Sequence, residues 1–250
     1  MHVDVPCSRF LGSGKTEPGP IVSERMILRN LVIKAVLALV VGASVFAHAD
    51  AVQIFAPEAA SGAITFAWGG FGDVNPLPSG TSISVGSFAM TTTSSDALTT
   101  FLESPTGSYN GSFIDGAGVL ATFDLNGAGP VASTIELDFS QGLDYLGTYA
   151  EGQFTGPYTI SMALYSGATL IDTFSVMGNQ ANNNDGSAPF IGFRGTNIDR
   201  VVFSAVDGTN SPTAFAVSDV TAAVPEPGSI LLLGAGLASI MGAIRRKRQN

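Results

Sequence analysis

The chain has 250 residues, but only one cysteine, Cys7, and two histidines, His2 and His48. All three precede Asp50. From Asp50 to Ala223, a stretch of 174 residues, there is no Cys, no His and no Lys. That body can form no disulfide and present no thiol nucleophile. It can build neither a Ser-His-Asp triad nor a zinc or haem site ligated by His or Cys. Positive charge is almost absent as well. The body holds 16 of the 20 acids and two of the 11 cations, Arg194 and Arg200, for a formal charge of −14. Nucleic-acid binding needs Lys and Arg to displace the counterions of phosphate, so it is excluded. Binding to anionic lipid through the body fails on the same ground. What remains is one domain's worth of acidic chain, long enough for a real core and dependent on packing for its stability.

The body is rich in Gly, Ser, Thr, Ala, Val and Phe. Short period-two runs separated by turn residues dominate it. Ala63–Trp68 places Ile64, Phe66 and Trp68 on one face. Ile83–Ala89, Val119–Phe123 and Leu170–Val176 read as further strands. Thr134–Phe139 puts Ile135, Leu137 and Phe139 inward and Glu136 and Asp138 outward. Tyr158–Tyr165 lines up Tyr158, Ile160, Met162 and Leu164. Phe190–Phe193, Ile198–Val206 and Thr213–Val220 complete the set. Ser166-Gly167-Ala168, Asn110-Gly111 and Asn126-Gly127 are turn signals. One segment, Ser95–Phe101, reads as a helix. The expected fold is all-β, an antiparallel β-sandwich over residues 50–223.

The two ends are of another kind. Met26–Lys34 is cationic, Ala35–Phe46 is apolar, and Ala47-His48-Ala49 fits the small-residue rule for signal cleavage before Asp50. Residues 26–49 thus read as a signal peptide for the Sec translocon and signal peptidase. Residues 1–25 do not fit that plan. Translation is expected to start at Met26; the alternative is a disordered cytoplasmic extension on an uncleaved anchor. Gly12-Ser13-Gly14-Lys15-Thr16 mimics a phosphate-binding loop, but Arg9 stands where the first Gly is needed, and no α/β domain follows.

At the other end come Pro225-Glu226-Pro227, the uncharged run Ile230–Ile244 and Arg245-Arg246-Lys247-Arg248. Fifteen helical residues span about 22 Å, short of a hydrocarbon core of about 30 Å. The four cations act as a cytoplasmic stop, which leaves the body outside. The prolines keep the backbone before the run extended and present Glu226 at the membrane surface. An ordinary C-terminal anchor is the plain alternative. In this order the parts resemble the PEP-CTERM signal of bacterial surface proteins, over residues 224–250, with a transmembrane segment at 230–244. The resemblance implies recognition of Pro225, Glu226 and Pro227 by exosortase. It also implies a transient stay in the inner membrane, then the cell surface or extracellular matrix of a Gram-negative-type envelope.

Five strand motifs resemble the sandwich of many PEP-CTERM proteins, with jelly-roll, lectin-like or carbohydrate-binding folds: Thr134–Ser140, Tyr158–Met162, Phe190–Phe193, Val201–Ser204 and Phe215–Val220. Candidate sites in the body are sparse. Asn182-Asn183-Asn184-Asp185-Gly186 is oxygen-rich but offers one carboxylate; Asp219, near the end of the last strand, is a candidate further ligand whose nearness the sequence does not show. No metal-ligand set is complete, so Ca²⁺ binding is expected to be weak, and no cofactor or catalytic residue is assigned. Glu136 and Asp138, at i and i+2 about 7 Å apart, have a spacing that glycoside hydrolysis permits. Trp68, Tyr145, Tyr149 and Tyr158 are candidates for stacking on sugars. Arg194 and Arg200 are expected to pair with acids. The resulting expectation is a non-enzymatic, exosortase-processed protein with a structural or adhesive role in an exopolysaccharide layer. The alternatives are a carbohydrate-binding module, with or without Ca²⁺, and a carboxylate-dependent glycoside hydrolase.

Overall fold

The computed structural model describes residues 51–94, 97–104, 109–122 and 134–225. Their secondary structure is antiparallel sheet with one turn of 3-10 helix, Trp68–Phe71. The strands are β1 (Ala51–Ile54), β2 (Ile64–Phe66), β3 (Asn75–Leu77), β4 (Thr81–Val85), β5 (Phe88–Thr93), β6 (Leu98–Leu102) and β7 (Gly118–Ala121). They continue with β8 (Ile135–Gly152), β9 (Gly156–Ser166), β10 (Thr169–Gln180), β11 (Phe190–Asp207), β12 (Phe215–Ser218) and β13 (Val220–Ala223).

β8 is the spine. Along one side it pairs with β11; along the other it pairs in succession with β5, β13 and β12. Beyond β11 lie β9 and β10, and beyond β12 lie β7, β6 and β3. Period-two alternation explains the central strands. Ile135, Leu137 and Phe139 of β8 and Tyr158, Ile160, Met162 and Leu164 of β9 are buried, as their spacing requires. They join Phe66, Phe203 and Phe215 in one large hydrophobic cluster. Phe66, Phe88 and Phe139 form an aromatic trio with centroids 5.6–6.4 Å apart. Each such side chain contributes about 1.5–3 kcal/mol on full burial. A smaller cluster of Phe101, Tyr109, Phe113, Val119, Ala121, Ala188 and Ala216 forms a second core.

The structure revises several elements. Of the segment Ser95–Phe101, residues 95 and 96 lie outside the described residues, and Leu98–Phe101 is not helix but part of β6, held between β3 and β7. Leu98, Thr99, Thr100 and Phe101 are all buried, so tertiary pairing on both edges overrides local preference. Ile83–Ala89 is not one strand but parts of β4 and β5, joined by a two-residue turn with Gly86 at φ +63°. Phe190–Phe193 and Ile198–Val206 are one continuous strand, irregular in register between Arg194 and Arg200. Thr213–Val220 divides at Asp219 into β12 and β13, which leave for different partners. The Gly-rich stretch after Gly142 is the second half of β8. The Asn126-Gly127 turn lies outside the described residues.

Candidate functional site

The small second core carries a buried polar cluster. β6 runs directly into Glu103, and β8 delivers Glu151 one residue before its end. Both side chains are fully buried. Between them lies the loop that follows Tyr109. The Gly111 N–H donates to Glu103 Oε1 at 2.7 Å and the Ser112 N–H donates to Glu151 Oε2 at 2.8 Å. Asn110-Gly111 is therefore no hairpin turn. Its glycine is required because a Cβ would stand 1.7 Å from Glu151 Oε1.

The loop after β10 closes the cluster from a third direction. Asn184 donates through Nδ2 to Glu103 Oε1 at 2.6 Å and through its N–H to the Gly111 carbonyl at 2.9 Å. Gln180 donates through Nε2 to the Asn110 carbonyl at 3.2 Å and to Asn182 Oδ1. The left-handed backbone at Asn182 and Asn184 suits Asn, whose short polar side chain tolerates it.

The cluster is short of donors. Glu103 Oε2, Glu151 Oε1 and Gln180 Oε1 are buried without a hydrogen-bond partner. The Tyr109 hydroxyl is the spare donor beside Glu151: it interacts with that carboxyl and lowers its pKa, though it falls just short of strict hydrogen-bond geometry. Burial pushes both carboxyls up to about 7, against the opposing pull of the Gly111 and Ser112 N–H groups. The charge of Asp115 adds to the shift of Glu103, and that of Glu103 to the shift of Glu151. The Tyr109 phenol is driven well above its ordinary range, by burial first and then by both carboxylates. Among the described residues no three of His, Cys, Asp and Glu gather as metal ligands. The cluster's oxygens come instead from two carboxylates, amides and a phenol.

Sequence reasoning did not single out this cluster. No alternation marks the two acids: Leu98–Phe101 are all buried, and the odd positions of β8 include exposed Gln141 and Tyr149.

The residues singled out from the sequence are dispersed. The Asn182–Gly186 loop is more than a solvated turn, because Asn184 reaches Glu103. Its own carboxylate, Asp185, turns to Asn183 Nδ2 at 2.6 Å and the Ser187 N–H at 2.9 Å. Asp219 accepts from the Trp68 N–H at 2.9 Å. It borders a cavity of about 210 Å³ that Gly186, Tyr149 and Phe113 also line. Glu136 and Asp138 remain on one strand face, but Arg200 pairs with Glu136 at 3.4 Å and lies over the Tyr165 ring at 4.1 Å. Arg194 pairs with Glu58 at 2.8 Å. Both arginines thus take acid partners. Trp68 is a core residue whose indole N–H donates to the Ser218 carbonyl at 2.8 Å. Tyr145 is 2 % exposed and Tyr158 4 %, so these two rings are not open to a sugar; Tyr149 is 37 % exposed.

Pro225 is exposed at the end of the described chain. Ala47, Ala49, Glu226, Pro227, the 230–244 segment and Arg245, Arg246, Lys247 and Arg248 lie outside the described residues, as do residues 1–25. Among the described residues no helix is long and apolar enough to cross a membrane.

Comparison with known proteins places one family on the chain. The PEP-CTERM protein-sorting motif matches residues 223–248. The chain therefore carries a PEP-CTERM sorting domain at its C-terminal end. Among curated proteins none matches. Among solved structures, the family 32 CBM from C. perfringens NanJ in complex with galactose is similar at 14 % identity. That match has a TM-score of 0.25 and covers 52 % of this chain and 93 % of the other. A superposition that loose transfers neither topology nor ligand.

Proposed function

We propose that this protein is an exosortase substrate, exported by its N-terminal signal and released from the inner membrane at its C-terminal motif. Its antiparallel β body then serves a structural or adhesive role, without catalysis, at the cell surface or in an exopolysaccharide matrix. The observation that carries this reading is the sorting motif over residues 223–248, which begins where β13 ends. The last described residue, Pro225, is exposed, which suits access by a processing enzyme. The body fits a scaffold. Its Arg194 and Arg200 are held in ion pairs, and Trp68, Tyr145 and Tyr158 are spent on the core. A jelly-roll or lectin-like arrangement of the sandwich belongs to the same reading.

The test is Glu226→Ala in the native host, followed by mass and cell fractionation. The variant is expected to be exported but unprocessed, with its body outside and its tail in the inner membrane. The wild type is expected at the surface or in the medium without residues 230–250. Normal processing of the variant removes Glu226 from recognition. A wild-type surface protein that retains the apolar run overturns the proposal.

A further inference from the structure

We infer that Glu103, Glu151 and Gln180 form a binding site for one hard divalent cation, Ca²⁺, at the junction of β6, β8 and the loop after β10. Three buried oxygens carry the inference: Glu103 Oε2, Glu151 Oε1 and Gln180 Oε1 have no hydrogen-bond partner. An ionised carboxylate oxygen only accepts, so a buried one without a donor calls for a cation or a proton, and the two compete for these groups. The protein supplies none from its body. Arg194 is engaged by Glu58 and Arg200 by Glu136. The other oxygen of each carboxylate is already taken by a backbone N–H, which orients both groups in advance.

Gln180 is the independent observation. Its side chain is 2 % exposed, and its Nε2 is anchored on Asn110, inside the loop that separates the two acids. Its Oε1 is a neutral oxygen, buried without a hydrogen-bond partner. The three side chains come from distant parts of the chain and meet at one loop, each bonded to its backbone. The chemistry selects the metal. Oxygen-only sites take Ca²⁺ or Mg²⁺, whereas transition metals favour the imidazole and thiolate groups that this body lacks. Ca²⁺ accepts irregular sets of six to eight oxygens, whereas Mg²⁺ demands a near-ideal octahedron. Carboxylates with amide oxygens on loops suit the former. Affinity on the order of 0.1 mM, at the strong end of extracellular modules, is expected.

The experiment uses the full-length protein in detergent, stripped with EDTA and titrated with CaCl₂ in 150 mM NaCl to screen its general acidity. Calorimetry should find one Ca²⁺ per chain. The melting temperature should rise by roughly 5–10 °C at about 10 mM Ca²⁺, through binding to the native state alone. Glu103→Gln and Glu151→Gln should each weaken binding at least tenfold. Without metal, neither should melt below the wild type, because each removes a buried charge and keeps the shape. Asp172→Asn, on exposed β10, should bind as the wild type does. A wild type whose melting ignores Ca²⁺, or Gln variants that respond fully, would overturn the site. If the Gln variants do not fold, Tb³⁺ luminescence excited through tyrosine decides on the wild type and Tyr109→Phe. Emission displaced by Ca²⁺ and lost in Tyr109→Phe supports the site, and its absence in the wild type refutes it.

Discussion

Two carboxylate pairs of this protein meet their charge in opposite ways. Glu136 and Asp138 stand on the outer face of β8, half exposed, with Arg200 beside Glu136 and stacked on Tyr165. Glu103 and Glu151 are fully buried, take backbone and amide donors with the Tyr109 and Ser112 hydroxyls beside Glu151, and keep two oxygens without a close partner. The outer pair is what any acidic sheet surface provides. Water and one arginine serve it at little net gain in stability, although partial burial and then the Glu136 charge still push the Asp138 carboxyl up. The inner pair is costly, because desolvation acts on a like-charged couple without a protein cation. A polar constellation that a fold retains against such a cost is a better pointer to a built site than an equally spaced pair in solvent.

The largest effect that would sharpen this contrast is expected from Gly111→Ala. The new Cβ would stand 1.7 Å from Glu151 Oε1 and 2.9 Å from the Tyr109 ring. It must expel a buried carboxylate and break its bond to Ser112. Urea unfolding should show a loss of about 3 kcal/mol, the scale of overpacking plus a stranded polar group. An unchanged midpoint would mean that the loop is not packed on Glu151.

A smaller effect should come from pH in metal-free buffer. Folding raises both inner carboxyls from 4.5 to about 7, so between those values the folded chain holds more protons than the unfolded one. This contribution is complete below pH 4.5 and is lost as pH rises through 7, because stability falls wherever the native state binds the excess protons. Apo protein should therefore be more stable at pH 5 than at pH 8 by about 2–4 kcal/mol from this pair, with Asp115 as a charged neighbour and the Tyr109 phenol neutral throughout. Glu151→Gln should remove about half of that slope. A flat profile between pH 5 and 8 would show that the pair is hydrated in solution.

The outer pair should respond less. Arg200→Gln leaves half-buried Glu136 without its cation and Tyr165 without its cap, and should cost about 1 kcal/mol in denaturant. Smallest is Arg194→Gln. That arginine and Glu58 are 53 % and 41 % exposed, so the loss should stay below about 0.5 kcal/mol and vanish in high salt. A loss above that of Arg200→Gln would invert the comparison.

The strands that were legible in the sequence are those buried on one face. Tyr158 to Leu164 and Ile135 to Phe139 show a clean alternation, because one side meets the core and the other meets solvent. β6 was illegible for the opposite reason. Covered on both faces, Leu98–Phe101 loses its alternation and cannot be told from a helical segment. The break at Asp219 was hidden too, since only the bond from the Trp68 N–H marks the point where the chain changes partners. Gly86 was readable as a turn residue but lay inside an apolar run.

By itself, the sequence determined the sorting motif at residues 223–248 and which side chains the body, residues 50–223, lacks. A sorting motif is read as a linear string, and missing His, Cys and Lys cannot be restored by folding. It also determined that the body is antiparallel sheet, since period-two burial is a local property of the backbone. Only the tertiary structure decided which acids are consequential. Glu103 and Glu151 are 48 positions apart, and Gln180 is a further 29. No local pattern relates them until β6, β8 and the end of β10 converge on one loop and shut out the water that would otherwise have solvated each carboxylate.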